Sequence, residues 1–202
     1  MDLVPKSRGL MQSDISSLII GLVGRQGSGK GTTAKILTER FGATTVRYSD
    51  LLKEILAILA IDMTRENLVN LSETLRATFG EDTFAYAVDL RIRKSGAPLV
   101  IVDGIRRAED TAALESLPHF RLVEVTASAR QRFNRMKMRG EKMRERDMTW
   151  DEFVMEEIAP TENSISAIAS RAWKTIDNDG TLEDLTRQVD AMMTELGIAS
   201  KA

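Results

Sequence analysis

Between Leu18 and Thr33 the chain reads LIIGLVGRQGSGKGTT, an almost wholly apolar run passing straight into four glycines set around one lysine. Leu18, Ile19, Ile20, Leu22 and Val23 suit a strand covered on both faces. Gly24, Gly27, Gly29 and Gly31 let successive backbone N–H groups turn inward without a Cβ in the way. Lys30 brings a point charge to the outer oxygens of a bound anion, and a helix starting near Gly31 aims its positive end at the same place. Gln26 and Ser28 complete the loop, and Thr32 and Thr33 follow it. The bound species expected here is an anionic polyphosphate. The strict phosphate-loop pattern asks for Ser or Thr directly after the lysine; here Gly31 stands there and Thr32 comes one place later.

A second chemical candidate closes the run PLVIVD, where Asp103 follows a continuous apolar stretch from Pro98. A carboxylate at the C-terminal edge of a central parallel strand sits where open α/β sheets bind ligands, and its hard oxygens suit Mg²⁺, directly or through water. The structural alternative is a cap on the turn that follows. Arg132, Arg135 and Arg139 recur at spacings of three and four, which puts them near one helix face, where a solvated charged face is the competing reading.

The elements that must position these groups follow from periodicity and punctuation. Helices are expected over Thr32–Phe41, Leu51–Ile61, Thr64–Phe79, Asp82–Lys94, Ala108–Ser116, Ser128–Gly140 and Thr181–Leu196. Gly42 and Gly80 serve as stops, and Ser49 and Asp50 as caps. Thr149 and Glu152 form a capping-box pattern opening a long helix towards Arg171. Strands are expected at Ala43–Tyr48, Pro98–Asp103, Phe120–Thr126 and Trp173–Asp177. Alternation of this kind predicts an α/β fold, a doubly wound three-layer sandwich around a mainly parallel five-stranded sheet. Three successive helices before the third strand exceed what a crossover needs and suggest an acceptor-binding wall over about residues 49–95.

At 202 residues and 43% hydrophobic content, the chain can bury one sizeable core. Residues 1–17 read as a flexible leader, 18–202 as a single domain, and about 132–148 as a short lid region. With no cysteine and one histidine there is neither a disulfide framework nor a Cys-based zinc site. The net charge of -2 gives no general affinity for nucleic acid or membrane. Basic residues do crowd between Arg130 and Arg146, but Phe133 is the sole aromatic among them, which argues against a nucleic-acid module. A reducing, cytoplasmic setting is compatible.

The form G-x-x-G-x-G-K-G-T from Gly24 to Thr32 resembles the adenylate kinase branch of the P-loop nucleotide kinases, the nucleoside monophosphate kinase family. VDGIRR resembles the D-G-x-P-R element of these enzymes and, more closely, the D-G-[IV]-R segment of adenylate kinase-related and dephospho-coenzyme A kinase-like proteins of archaea. YSDLLK resembles the start of the family's acceptor-binding helix, with Lys53 in place of the usual arginine, and Leu75, Arg76 and Gly80 match an L-R-x-x-x-G pattern. The resemblance implies a kinase using ATP and Mg²⁺, with Lys30, Asp103, Arg106 and Arg139 in catalysis and Thr32 with Asp103 at the metal. It assigns Ser49, Asp50, Lys53, Arg76, Arg106 and Arg107 to the acceptor; either Arg106 or Arg107 reaches its phosphate, with Arg106 favoured. Arg135 and Arg139 would contact the donor nucleotide, and the loop from Asp177 to Gly180, with Asn178, would touch its adenine. The implied acceptor is a nucleoside or deoxynucleoside monophosphate. The alternatives are a dephospho-coenzyme A-like hydroxyl, for which Asp50 would take the proton, and a P-loop NTPase that is not a kinase. A monomer or homodimer acting on a small molecule, with no membrane partner, completes the expectation.

Overall fold

The computed structural model describes residues 17–139, 146–158 and 160–201, so residues 1–16 of the expected leader and the part of the lid region at 140–145 lie outside the described residues. The apolar runs form five parallel strands: β1 (Leu18–Val23), β2 (Thr44–Arg47), β3 (Leu99–Asp103), β4 (Phe120–Thr126) and β5 (Lys174–Asp177), in the order β2-β3-β1-β4-β5. β1 is central, pairing with β3 on one side and β4 on the other, so the loop leaving it opens where the chain switches direction across the sheet.

Both faces of the sheet are covered, which is why β1 and β3 carry no polar alternation. Ile20, Leu22, Ile101 and Val125 pack against α1 (Lys30–Phe41) and the closing helix α9 (Leu182–Glu195), through Leu37, Leu185, Val189 and Met192. On the other face Ile19, Val23, Val100, Val102 and Leu122 meet Val88 and Ile92 of α4 (Thr83–Ser95), Leu114 of α5 (Ala108–Glu115), and Ile165 and Ile168 of α8 (Pro160–Ala169).

Between β2 and β3 the chain builds α2 (Tyr48–Ile58), α3 (Arg65–Phe79) and α4, as the periodicity predicts. Thr64 caps α3 by accepting from the Asn67 N–H at 3.1 Å, and Gly42 ends α1 in the left-handed conformation. α2 starts earlier than expected: β2 runs directly into it, extended Arg47 is its N-cap, and Asp50 lies in its first turn. Asp50 therefore does not cap the helix, although its charge still complements the positive helix end.

A further correction concerns the long helix expected from Thr149 to Arg171. The Thr149–Glu152 capping box is present, but the helix it opens is α7 (Trp150–Glu157), and α8 starts afresh at Pro160. Proline lacks an N–H and disfavours the α region in the residue before it, which favours a new helix start at Pro160 over a continuous one. α7 docks on α6 (Ala129–Arg139) through Phe133, Met136, Met148 and Phe153, with the Phe133 and Trp150 rings edge-on at 5.3 Å. Among the described residues no helix is long and apolar enough to cross a membrane.

Candidate functional site

β1 ends at Val23, and the backbone of residues 24–29 curls back before α1 begins at Lys30. The Lys30 Nζ lies across the loop, donating to the carbonyls of Gly24 at 2.6 Å and Arg25 at 3.1 Å. That holds the ammonium against the first two residues of the loop. Gly29 has φ +105°, and a Cβ there would fall 2.0 Å from Nδ2 of Asn178, so only glycine lets that side chain approach. The Asn178 side-chain amide donates to the Ser28 carbonyl at 2.8 Å, and the Asn178 backbone carbonyl accepts from Nη2 of Arg135 at 2.6 Å. Asn178, expected at the donor's adenine, thus lies against the phosphate loop, and Arg135, expected at the donor nucleotide, is held to it from α6. Asp179 fastens α6 beside them, accepting from the Ser128 N–H at 2.7 Å. Those hydrogen bonds from Ser128 hold its carboxyl below the usual range.

Of the three lid-like arginines, Arg132 is buried: its Nε donates to the Ala127 carbonyl at 3.0 Å and its fork closes on Glu157 of α7, with Nη1 2.7 Å from Oε1. Arg139 lies exposed at the end of α6. Gln26 and Thr33 belong to the loop and to α1, with Thr33 buried and its hydroxyl donating to the Gly29 carbonyl at 3.2 Å; Gly31 and Thr32 face outward on the first turn.

Asp103 stands beside this loop because β3 neighbours β1, in register with Leu22 on one side and Arg47 on the other. Its carboxylate accepts from Nε of Arg47 at 3.3 Å, and the Arg47 guanidinium also lies 4.0 Å from Asp50, which Lys53 contacts at 3.3 Å. Carboxylates and cations alternate along this edge, from Asp103 through Arg47 and Asp50 to Lys53. Ser49 is half-buried at the same helix start. The hydroxyl of Thr32 and the carboxylate of Asp103 are hard oxygen donors of the kind Mg²⁺ takes. Among the described residues no three Asp, Glu or His side chains converge as a metal cage, so a magnesium held there would draw its other ligands from phosphate oxygens and water.

The remaining acceptor-side arginines part company. Arg106 is exposed, and no ion pair to the described residues holds it. Arg107 pairs with Glu81 at 3.0 Å and with Glu73. Arg76 is the only buried residue of α3; its Nη2 donates to both oxygens of Asp110, at 2.8 and 3.1 Å, its Nη1 donates to the Glu81 carbonyl, and its guanidinium lies 4.7 Å from the Phe84 ring centre. In this structure the expected phosphate ligand is therefore turned to a buried carboxylate. Burial pushes the Asp110 carboxyl up, with Arg76 working against it, and burial also raises the neighbouring Tyr48 phenol. Arg47, Asp110 and Glu157 carried no motif; their partners lie up to 56, 34 and 132 residues away, beyond the reach of local spacing.

Residues 23–154 match the family described as AAA domain, AAA_17. A UPF0200 protein of Methanoculleus marisnigri is 30% identical over 185 residues, which cover 89% of this chain and 97% of that protein. Shikimate kinase from Bacteroides thetaiotaomicron superposes with a TM-score of 0.59 at 14% identity, covering 90% of this chain and 99% of that one. A gluconokinase from Sinorhizobium meliloti does so with a TM-score of 0.54 at 18% identity, covering 88% and 91%. At these identities the structural likeness establishes the P-loop kinase-like fold.

Proposed function

The chain belongs to the UPF0200 family and has a P-loop kinase-like fold, and from that premise we propose that it transfers the γ-phosphoryl group of ATP to a nucleoside or deoxynucleoside monophosphate. The observation that carries the reading is the Lys30 ammonium held across the glycine loop at the end of the central strand, with Asp103 on the adjacent strand. In the transfer the bond from the γ-phosphorus to the leaving ADP oxygen breaks as one forms to an oxygen of the acceptor phosphate, which is already nucleophilic and needs no base. The work left to the protein is positioning and neutralising charge. Lys30 and the loop N–H groups take the donor phosphates, exposed Arg106 the acceptor phosphate, and Arg139 of α6 the charge that develops between them. Thr32 and Asp103 would hold Mg²⁺, which would neutralise charge on the phosphate oxygens. On this reading the protein is a cytoplasmic enzyme acting on a diffusing small molecule, as a monomer or homodimer.

A hydroxyl acceptor is the second reading, favoured by one observation: both terminal nitrogens of Arg76 are already engaged, by Asp110 and the Glu81 carbonyl, while Asp50 and Asp103 present carboxylates on the acceptor side. There Asp50 would take the hydroxyl proton. A coupled ADP-release assay against mononucleotides, dephospho-coenzyme A and shikimate- or gluconate-like hydroxy acids separates the two. The first reading expects release stimulated by one or more mononucleotides; release stimulated only by hydroxyl acceptors would replace it with the second.

A further inference from the structure

Glu157 ends α7 and is the meeting point of two guanidiniums, one from the phosphate loop and one from α6. Arg25, the second residue of the loop, donates from Nη1 to its Oε2 at 2.8 Å, and Arg132 of α6 grips both of its oxygens. The second terminal nitrogen of Arg25 reaches the Ser166 hydroxyl of α8 at 3.0 Å. One carboxylate thereby ties the loop to α6, and α7 to both.

The ties reach the working part of the loop. The Arg25 carbonyl receives the Lys30 ammonium at 3.1 Å and the Ser28 N–H at 3.2 Å, so the residue whose side chain Glu157 holds is also the one whose backbone steers the lysine. Arg132 approaches the Gln26 carbonyl at 3.5 Å, and a Cβ on Gly27 would lie 2.8 Å from the Arg132 carbonyl. Glu157 is itself delivered by a rigid element, since α7 begins with a double-sided cap and packs its rings on α6. Groups that bind phosphate must be held within fractions of an ångström by partners whose own rotamers are locked.

We infer that Glu157 is a positioning residue for polyphosphate binding: forked between Arg25 and Arg132, it fixes the loop peptides at Arg25 and Gln26 and the place of the Lys30 ammonium. It touches no phosphate itself. The inference rests on the polyphosphate reading of the loop and is independent of which acceptor is used.

Titration of ADP into the full-length protein by calorimetry tests it, alongside thermal unfolding. Glu157→Gln should weaken ADP binding roughly tenfold, the scale of one charged hydrogen bond lost from the loop's support. Arg25→Met should do the same while leaving the buried Arg132–Glu157 pair intact, so it reports even if Glu157→Gln folds poorly. Because both break one link, the double variant should bind no more weakly than the worse single one. Folded variants that bind ADP as tightly as wild type, or effects that simply add, would overturn the inference and leave Glu157 as a stabilising ion pair. Failure of the wild-type protein to bind ADP would instead remove the polyphosphate reading and the inference with it.

Discussion

The side-chain amide of Asn178 donates to the carbonyl of Ser28 at 2.8 Å, joining the turn after the last strand to the phosphate loop after the first, across 150 residues of sequence. Because Asn178 is buried, its replacement removes a partner the loop carbonyl cannot exchange freely for water. Asn178→Ala should cost about 1–3 kcal/mol of stability and weaken nucleotide binding in parallel. Urea unfolding and nucleotide titration of the same samples check this; an unchanged affinity would make the contact a fold tie only.

Acid should act on Glu157 in a defined direction. Burial pushes its carboxyl up, but hydrogen bonds from Arg132 and Arg25 outweigh that and leave it below the ordinary carboxylate range. A group whose folded value is depressed binds fewer protons in the folded state, so its stabilisation is fully present above the unfolded value, near pH 4.3, and is lost as pH falls through the folded one. The melting-temperature gap between wild type and Glu157→Gln should therefore be open at neutral pH and narrow progressively as pH falls below the ordinary carboxylate range. A gap that stays constant through that range would mean the carboxylate charge is not what Arg25 and Arg132 require.

The Arg76–Asp110 pair makes a separate stability prediction. Removing the cation alone leaves a carboxylate buried without its partner, so Arg76→Met should cost about 3–5 kcal/mol. Removing both charges, as Arg76→Met with Asp110→Leu, should recover much of that loss. Chemical unfolding of the single and double variants decides it, and a double variant no more stable than the single one would contradict the buried-pair account.

At the strand end, Asp103→Asn should raise the magnesium concentration needed for half-maximal turnover and leave metal-free ADP binding little changed. If the magnesium dependence matches wild type, the carboxylate serves only to anchor Arg47.

The parts of this molecule written in short-range patterns were legible in the sequence. The run from Leu18 to Thr33 carries strand, loop and helix start together, and Thr64, Gly42 and the Thr149–Glu152 pair mark helix ends by side-chain chemistry that needs no tertiary partner. The residue type of Asp50 suits a cap, yet the extended Arg47 and the direct passage from β2 put the helix start ahead of it. Pro160 carries a readable signal for the helix break, one that the expectation of a single helix from the Thr149–Glu152 cap leaves out. The ties of Arg76 to Asp110, Asp103 to Arg47 and Arg25 to Glu157 depend on how helices and strands meet in space, and nothing in the spacing of those residues encodes it.

Phosphoryl transfer by Lys30→Ala is the most direct test of the proposed chemistry. The substitution removes the point charge held over the loop while leaving the glycines and the Asn178 tie in place. Coupled ADP release by the folded variant, with the preferred acceptor at saturation, should fall by roughly two or more orders of magnitude. Turnover equal to that of wild type, in a variant with an unchanged unfolding profile, would contradict the assignment of this loop as the phosphoryl-transfer site.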